Sequence, residues 1–366
     1  MDALEINWNS FWNSEEPLVM DPGVAEADDL REWARGRAEL AGGVLFSSSG
    51  TTGDRKWIVL TRSALRWSAE RVGERLGMGS GDVGGLALPI FHVGGFGLAA
   101  RCTVAGSRLV SFRGKWDAGE FVSWLEREGV TVISLVPTQV RDLVQGGYRG
   151  NEKLRVVVVG GGIFEEKLAK EARHLGWPVL GSYGMTEAGS QVATEREFGG
   201  GLEILEGWEV VCRDGVLWLR GEGLFCGYVR RGSEGFSLED PREDGWFQSS
   251  DAGIVSGKVV TIMGRMDRRV KVLGELVDLE AIENWFRNQL GYEVRVEAEP
   301  EARKGCQLVL WVETKDEVAT DEGVKLWNRD CVGFERIDAW RTIPSFRRSA
   351  LGKIIGVPNV YGPSSG

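Results

Sequence analysis

Ser48-Ser49-Gly50-Thr51-Thr52-Gly53-Asp54-Arg55-Lys56 sets two glycines, four hydroxyl side chains and a closing lysine within nine residues. Backbone N–H groups bared by glycine, together with hydroxyl and ammonium donors, can wrap a polyphosphate, so the chemistry suggested is that of a nucleoside triphosphate. The spacing is not that of a Walker A loop, which needs four residues between its first Gly and a Gly-Lys pair. Here Gly50 and Gly53 lie three apart and Lys56 follows later. A Ser/Gly/Thr run between strands is often only a flexible connection. This one is flanked by Gly43–Phe46 and Trp57–Leu60, which read as short buried strands, so it is pinned at both ends and can hold a shape.

Five further segments carry reactive or ligating groups. Pro89-Ile90-Phe91-His92-Val93-Gly94-Gly95 places a histidine at an expected strand end, where backbone groups could equally satisfy its ring. Gly181-Ser182-Tyr183-Gly184-Met185-Thr186-Glu187-Ala188 follows apolar Val179-Leu180 and so begins at a strand's carboxyl end, where open parallel sheets bind ligands. Glu187 could instead be an ordinary first-turn carboxylate facing a helix dipole. Gly245-Trp246-Phe247-Gln248-Ser249-Ser250-Asp251 and Gly264-Arg265-Met266-Asp267 follow, and Arg347-Arg348-Ser349-Ala350-Leu351-Gly352-Lys353 lies near the C-terminus. By itself Lys353 reads as a solvated charge. Gly160-Gly161-Gly162, directly after the apolar run ending at Val159, is a glycine-rich strand-to-helix turn.

In this order and rough spacing, these segments and the Ser48–Lys56 loop resemble those of the acyl-adenylate-forming enzymes, the acyl-CoA synthetase superfamily, over about residues 43–354. The resemblance implies ATP as substrate, with Ser48, Ser49, Gly50, Thr51, Thr52, Gly53 and Lys56 around its phosphates. It implies Gly160, Gly161, Gly162, Ser182, Tyr183 and Gly184 at the adenosine, Tyr183 lying against the base. Thr186 would meet phosphate and Glu187 would help to hold Mg²⁺, which takes few protein carboxylates and several waters. Asp251 would accept from both ribose hydroxyls, Arg265 would reach the ribose, and Asp267 would be the hinge of a small mobile domain. Lys353 would contact the carboxylate and the α-phosphate, and His92 would border the acyl pocket. Ser249 and Ser250 stand where Thr and Gly are usual, and Leu273 and Leu279 where Gly and Pro are usual.

The implied reaction has two steps. An acid attacks the α-phosphorus of ATP and expels pyrophosphate, and a thiol then attacks the acyl-adenylate. Catalysis is mainly positioning and charge neutralisation by Mg²⁺, Lys353 and loop N–H groups, with the small domain rotating between the steps. Within the superfamily, Ser134-Leu135-Val136-Pro137-Thr138-Gln139 and the extended Tyr183–Thr194 stretch, with its Ser190-Gln191-Val192-Ala193-Thr194 tail, resemble the 2-succinylbenzoate:CoA ligases of menaquinone and phylloquinone synthesis. That implies coenzyme A as thiol, with His92, Thr138, Ser190 and Gln191 lining the slot for the aromatic acid. The acid's second carboxylate needs a cation or donors that the sequence does not name. The same chemistry on another acid, delivered to CoA or to a carrier protein, stays open, as does a nucleotide binder without catalysis. The resemblance also implies a longer segment ahead of the phosphate loop than the one before residue 47 here.

The elements that must position these groups are those of an α/β fold. From about residue 84 to 185, apolar runs at Leu86–Phe91, Arg108–Phe112, Thr131–Val136 and Arg155–Val159 alternate with amphipathic helical stretches, the pattern of a parallel sheet with crossover helices. Asp117 with Glu120 makes a capping box for a helix through Leu125, and Phe164–Leu175 has helical apolar spacing. After Gly199 the texture becomes a small β-rich unit, with Arg213-Asp214-Gly215 as a hairpin turn. Beyond Met263, a helix carrying Leu279, Ile282, Phe286 and Leu290 precedes strands at Glu293–Val296 and Cys306–Val312. The expected division is a large domain over 1–264 and a small α+β domain over 265–366.

The chain of 366 residues carries a formal charge of −10 and no concentrated basic face, which argues against nucleic acid as partner. Five cysteines without a CxxC pair and two distant histidines suggest neither a zinc site nor a disulfide framework. The N-terminal residues lack a basic region with an apolar core, and no window approaches about eighteen consecutive apolar residues, so export and membrane insertion are not indicated and a cytoplasmic location is expected. Self-association is not readable.

Overall fold

A computed structural model describes residues 6–20, 23, 26–49, 55–301, 304–349, 352 and 354–357, with backbone only for Ser48, Ser49, Arg55 and Ile355. The chain divides into two compact units, the first made of Met1–Val211, Trp218–Gln248 and Val255–Thr261, the second of Cys212–Leu217, Ser249–Ile254 and Ile262–Gly366.

In the first unit the expected parallel sheet is present, in the order Arg108–Ser111, Val83–Leu86, Val132–Leu135, Val156–Val159, Val179–Met185. The two inner strands Val132–Leu135 and Val156–Val159 are buried along their whole length, as mostly apolar runs in a doubly covered sheet should be, with Ser134 the polar exception. Helices Ala118–Glu128, Pro137–Gln145 and Glu166–His174 join successive strands and bury Phe121, Leu125, Val140, Leu143, Leu168 and Ala172 against them. Asp117 caps the first of these helices by accepting from the Glu120 amide at 2.8 Å. The sheet continues antiparallel through Ser190–Glu195 and Leu202–Ile204.

The strand expected at Leu86–Phe91 lies instead at Val83–Leu86. Two glycines hide it from a hydrophobicity reading, yet both are required. A Cβ on Gly84 would fall 2.1 Å from the Cys102 sulfur, and one on Gly85 2.8 Å from Val130 Cγ1. The helix pressed against Gly84 is Val93–Ala105, which the sequence reading did not anticipate because Gly94, Gly95 and Gly97 mask it. Pro89, which has no N–H to give a ladder, ends the extended run, and the His92 amide closes a turn onto Pro89 O at 3.1 Å before the helix begins.

At the opposite end of the sheet, Asp82 ties three elements together. It accepts from Arg155 Nε and Nη2, both at 2.7 Å, from Thr131 Oγ1 at 2.7 Å and from the Gly79 amide at 3.0 Å. The Arg155 hydrogen bonds hold its carboxyl well below the ordinary value, at about 2. A folded-state pKa below that of the unfolded chain adds stability that is complete above the unfolded value and is lost as pH falls toward the folded one. Asp82→Asn should therefore cost about 2 kcal/mol at neutral pH and flatten the acid limb of the stability curve between about pH 4 and 2, as read by urea denaturation. An unchanged acid limb would remove the Asp82–Arg155 pair as its source.

A second sheet in this unit, Leu18–Val19, Gly43–Ser49, Arg55–Thr61, Gly227–Gly232 and Gly235–Glu239, packs Leu45, Trp57, Val59 and Val229 against the helix Ala27–Ala34. Its register sets Lys56 opposite Arg230 and Ile58 opposite Tyr228, so Lys56 and Tyr228 are diagonal neighbours on one face.

The second unit is α+β. Strands Val294–Glu301, Gly305–Glu313 and Ile337–Ile343 carry the helices Leu279–Leu290 and Glu317–Asp330 over a core that includes Ile282, Phe286, Val296, Leu310 and Val324. Buried Glu283 accepts from Arg268, from Arg287 Nη2 at 3.3 Å and from the Val296 amide at 2.9 Å, so its charge is neutralised where it lies. In the Arg269–Val272/Glu275–Asp278 hairpin, Leu273 has a φ of 53°, a left-handed backbone that costs a residue with a Cβ about 1–2 kcal/mol. Among the described residues no helix is long and apolar enough to cross a membrane.

Candidate active site

The strand Val179–Met185 runs out of the sheet into a single turn, Thr186–Ala188, closed by the Gly189 amide on Thr186 O at 3.0 Å. Gly189 has a φ of 65°, which glycine adopts without steric cost. The turn presents Glu187 to the second sheet, where the Phe225 amide donates to its carbonyl at 2.8 Å. Its carboxylate oxygen Oε1 accepts from Tyr228 Oη at 2.9 Å and pairs with Lys56 Nζ at 3.3 Å. Lys56 Nζ also sits 3.9 Å from the centroid of the Tyr228 ring. The turn after a parallel strand and the start of the strand Arg55–Thr61 thus meet at one carboxylate.

Ser182 donates to Val159 O at 3.1 Å, and a Cβ on Gly160 would come within 2.6 Å of the Ser182 hydroxyl. These two ends of neighbouring strands are therefore in close contact, with Gly161 at a φ of 80° in the turn beyond and Gly162 beside Pro137. Tyr183 is 7% exposed and pairs with Ala193, and Gly184 lies so near Ser190 that a Cβ would fall 1.9 Å from the Ser190 carbonyl oxygen. Gly50, Thr51, Thr52, Gly53 and Lys353 lie outside the described residues, and of Ser48 and Ser49 only the backbone, at the end of the Gly43–Ser49 strand, is described.

Of the residues expected at an acyl slot, His92 immediately precedes the helix Val93–Ala105, with its ring 4.8 Å from that of Phe91. Thr138 sits in the first turn of Pro137–Gln145. Gln191 is buried and its side-chain carbonyl accepts from Thr194 Oγ1 at 2.5 Å, which engages it within its own strand. Ser190 faces Gly97, where an added Cβ would lie 3.1 Å from Ser190 Oγ and 3.4 Å from Arg101 Nη1.

Arg101 was not singled out from the sequence. It is 1% exposed, donates from Nη2 to Ser134 Oγ at 3.0 Å, and its Nε and Nη1 have no hydrogen-bond partner among the described residues. No carboxylate of the described residues pairs with it. Burial pulls its pKa down to about 10. A buried cation left without a counter-ion is costly unless something else supplies the negative charge. The signal was legible, since Arg101 is the one charged residue in the otherwise apolar stretch Val93–Ala105. Tyr228 had no such signal, because its contact with Glu187 depends on strand pairing distant in sequence.

In the second unit, Arg265 clasps Asp267 with a two-pronged pair, Nε to Oδ1 and Nη2 to Oδ2, both at 2.8 Å, and its Nη1 lies 3.8 Å from Asp251 Oδ1. Hydrogen bonding by Arg265 lowers the Asp267 pKa, and the pairing raises that of Arg265. Asp251 is oriented by its own amide, which donates to Ser249 Oγ at 3.1 Å, while that hydroxyl donates to Leu217 O at 2.8 Å. A serine at 249 therefore supplies the hydroxyl that holds the Asp251 amide within the strand Phe247–Ser256.

Mg²⁺ fits the Glu187 position in the donor chemistry that the chain offers. A single carboxylate beside a lysine suits an oxygen-seeking ion that completes its shell with phosphate and water, and among the described residues no cluster of three acidic, histidine or cysteine side chains offers an all-protein cage.

Comparison with known proteins agrees with this layout. The chain is 33% identical over 239 residues to the 2-succinylbenzoate--CoA ligase of Escherichia coli, covering 64% of this chain and 50% of the relative. It is 30% identical over 306 residues to the 2-succinylbenzoate--CoA ligase of Salmonella typhimurium, covering 81% and 64%. The chain thus spans half to under two-thirds of the length of these relatives. The fold matches that of o-succinylbenzoate CoA synthetase (MenE) from Bacillus subtilis, solved with the acyl-adenylate intermediate OSB-AMP, at a TM-score of 0.77 and 22% identity over 97% of this chain and 80% of that one. The family model of the AMP-binding enzymes matches residues 43–229, from the strand before the phosphate loop to the strand carrying Tyr228, and the chain belongs to that family.

Proposed function

We propose that this chain joins 2-succinylbenzoate to coenzyme A at the expense of ATP, forming the acyl-adenylate first and the thioester second. The observation that carries the choice of acid is Arg101. A monocarboxylic acid spends its only carboxylate on the α-phosphorus and leaves the buried guanidinium uncompensated. A dicarboxylic acid brings a second carboxylate to Arg101 and, beside it, the Ser190 hydroxyl. The names of the two relatives support the same acid.

Each residue then has a physical task. Lys56 and the N–H groups of the loop before it offset the charge of the β- and γ-phosphates. Glu187 would hold Mg²⁺, whose charge screens the phosphates from the attacking carboxylate. Asp251 is the acceptor for the ribose hydroxyls, with Arg265 beside it, and Thr186 is the hydroxyl nearest to Glu187 in the turn. Asp267 is the proposed hinge, and Lys353 the cation at the bond-forming carboxylate. His92, Thr138, Ser190 and Gln191 border the acyl slot in this reading, Gln191 acting through Thr194.

Glu187→Gln should keep the Tyr228 hydrogen bond and the shape of the turn while removing the charge. The expected result is about a tenfold or greater rise in the Mg²⁺ concentration needed for half-maximal adenylation. An unchanged metal response would remove Glu187 as the metal-holding group. The function itself is tested by incubating the protein with ATP, Mg²⁺, CoA and each of 2-succinylbenzoate, benzoate, a medium-chain fatty acid and an amino acid, with mass detection of the thioester. A thioester with 2-succinylbenzoate, in large excess over that from any other acid, is expected. A thioester only with another acid would keep the chemistry and discard the substrate, and none with any acid would leave a nucleotide binder.

A further inference from the structure

We propose that Tyr228 is a positioning residue for the nucleotide step, one that fixes the Glu187 carboxylate and the Lys56 ammonium relative to each other. This rests on the reading that Glu187 and Lys56 serve a metal-bound nucleotide. Three observations carry it. The Tyr228 hydroxyl donates to Glu187 Oε1 at 2.9 Å, the oxygen that also pairs with Lys56 at 3.3 Å. Oε2 has no partner among the described residues, so both neighbours share one oxygen and leave the other for a ligand. The Tyr228 ring lies 3.9 Å from the Lys56 ammonium and 5.6 Å from the Arg230 guanidinium, so its face holds cations while its edge holds an anion.

A flexible lysine and a glutamate at this distance would otherwise collapse into a simple ion pair, with neither group ready for phosphate or metal. A phenol on Oε1 keeps the carboxylate aimed when Lys56 leaves for a phosphate, and the ring gives Lys56 a second place to rest. Burial, and then the adjacent Glu187 charge, push the phenol pKa above its ordinary value, so the hydroxyl remains a donor throughout the working pH range. The groups that face it are Glu187, Lys56 and Arg230, with the Phe225 ring 4.8 Å away as its packing neighbour.

Packing and positioning can be separated because Tyr228→Phe keeps the ring, the Phe225 contact and the cation–π pairing, and loses only the hydroxyl. The measurement is Mn²⁺ binding, by the loss of the free-ion electron paramagnetic resonance signal, to the full chain with a non-hydrolysable ATP analogue. A parallel titration follows the analogue without metal. Tyr228→Phe should weaken Mn²⁺ binding about tenfold and leave metal-free analogue binding unchanged. Tyr228→Leu should weaken both, because Lys56 then loses its ring. Mn²⁺ affinity in Tyr228→Phe equal to wild type, with the wild type binding Mn²⁺ and analogue together, would overturn the role of Tyr228 alone. Failure of the wild type to bind Mn²⁺ with the analogue would overturn the nucleotide reading and this role with it.

Discussion

Arg101→Leu should lower kcat/KM for 2-succinylbenzoate by about 10²- to 10³-fold, the cost of leaving one member of a buried, hydrogen-bonded charge pair without its partner. The same change should leave benzoate, which has no second carboxylate, unaffected or improved, so that the preference between the two acids narrows or reverses. Stability should move the other way. In the ligand-free protein Arg101 is buried, and its only described hydrogen bond is to Ser134. Replacing it with an apolar side chain of similar volume should therefore stabilise the free protein by about 1–4 kcal/mol in chemical denaturation. Arg101→Lys is not an equivalent control, because a lysine ammonium is a compact point charge that cannot keep the Ser134 contact and a fork toward a carboxylate at once. Loss of both acids to the same extent would mean that Arg101 supports the fold of the slot and does not select the substrate. A destabilised Arg101→Leu protein would mean that the guanidinium is satisfied in the free state.

Lys353→Ala should lower the adenylation rate by about 10²- to 10³-fold, the scale of losing one preorganised charge at a developing transition state. Transfer from a supplied acyl-adenylate to CoA should stay within a few-fold of wild type. Lys353 itself lies outside the described residues, and the expectation comes from its place in the Arg347–Lys353 segment. Next to it, the Gly352 amide donates to Ser349 O at 2.8 Å, Gly352 has a φ of 73°, and Arg348 donates to Gly352 O at 3.1 Å while pairing with Glu313. Equal loss in both half-reactions would contradict a small domain that brings Lys353 in for the first step and withdraws it for the second.

The inner strands were legible because a strand covered on both faces is mostly apolar, as Val156–Val159 is throughout and Val132–Leu135 is apart from Ser134. Helix starts were legible where a side chain caps the helix, as Asp117 does. The strand Val83–Leu86 and the helix Val93–Ala105 were not, because their close approach is achieved by the missing side chain at Gly84, and a hydrophobicity pattern cannot register an absent side chain. At the site, Thr186 and Glu187 sit in the turn after a strand and Arg265 at a strand end, while Asp251 lies within the strand Phe247–Ser256, and Asp251, Arg265 and Asp267 come together within one unit. What motifs could not convey is the pairing between the Arg55–Thr61 and Gly227–Gly232 strands, and it is that pairing which sets Tyr228 beside Lys56 and Glu187. Arg101 was visible as a lone charge among apolar residues, and its meaning emerged only when the fold showed that no carboxylate of the described residues pairs with it.

The central claim, that this chain adenylates a dicarboxylic acid, is tested most directly by a single-turnover rapid-quench experiment with ATP labelled at the α-phosphate, Mg²⁺ and 2-succinylbenzoate, without CoA. The account predicts label in an acyl-adenylate, with one pyrophosphate released for each adenylate formed, and far slower formation of any adenylate when benzoate replaces the dicarboxylic acid. Label remaining in ATP, or appearing in ADP, would contradict it.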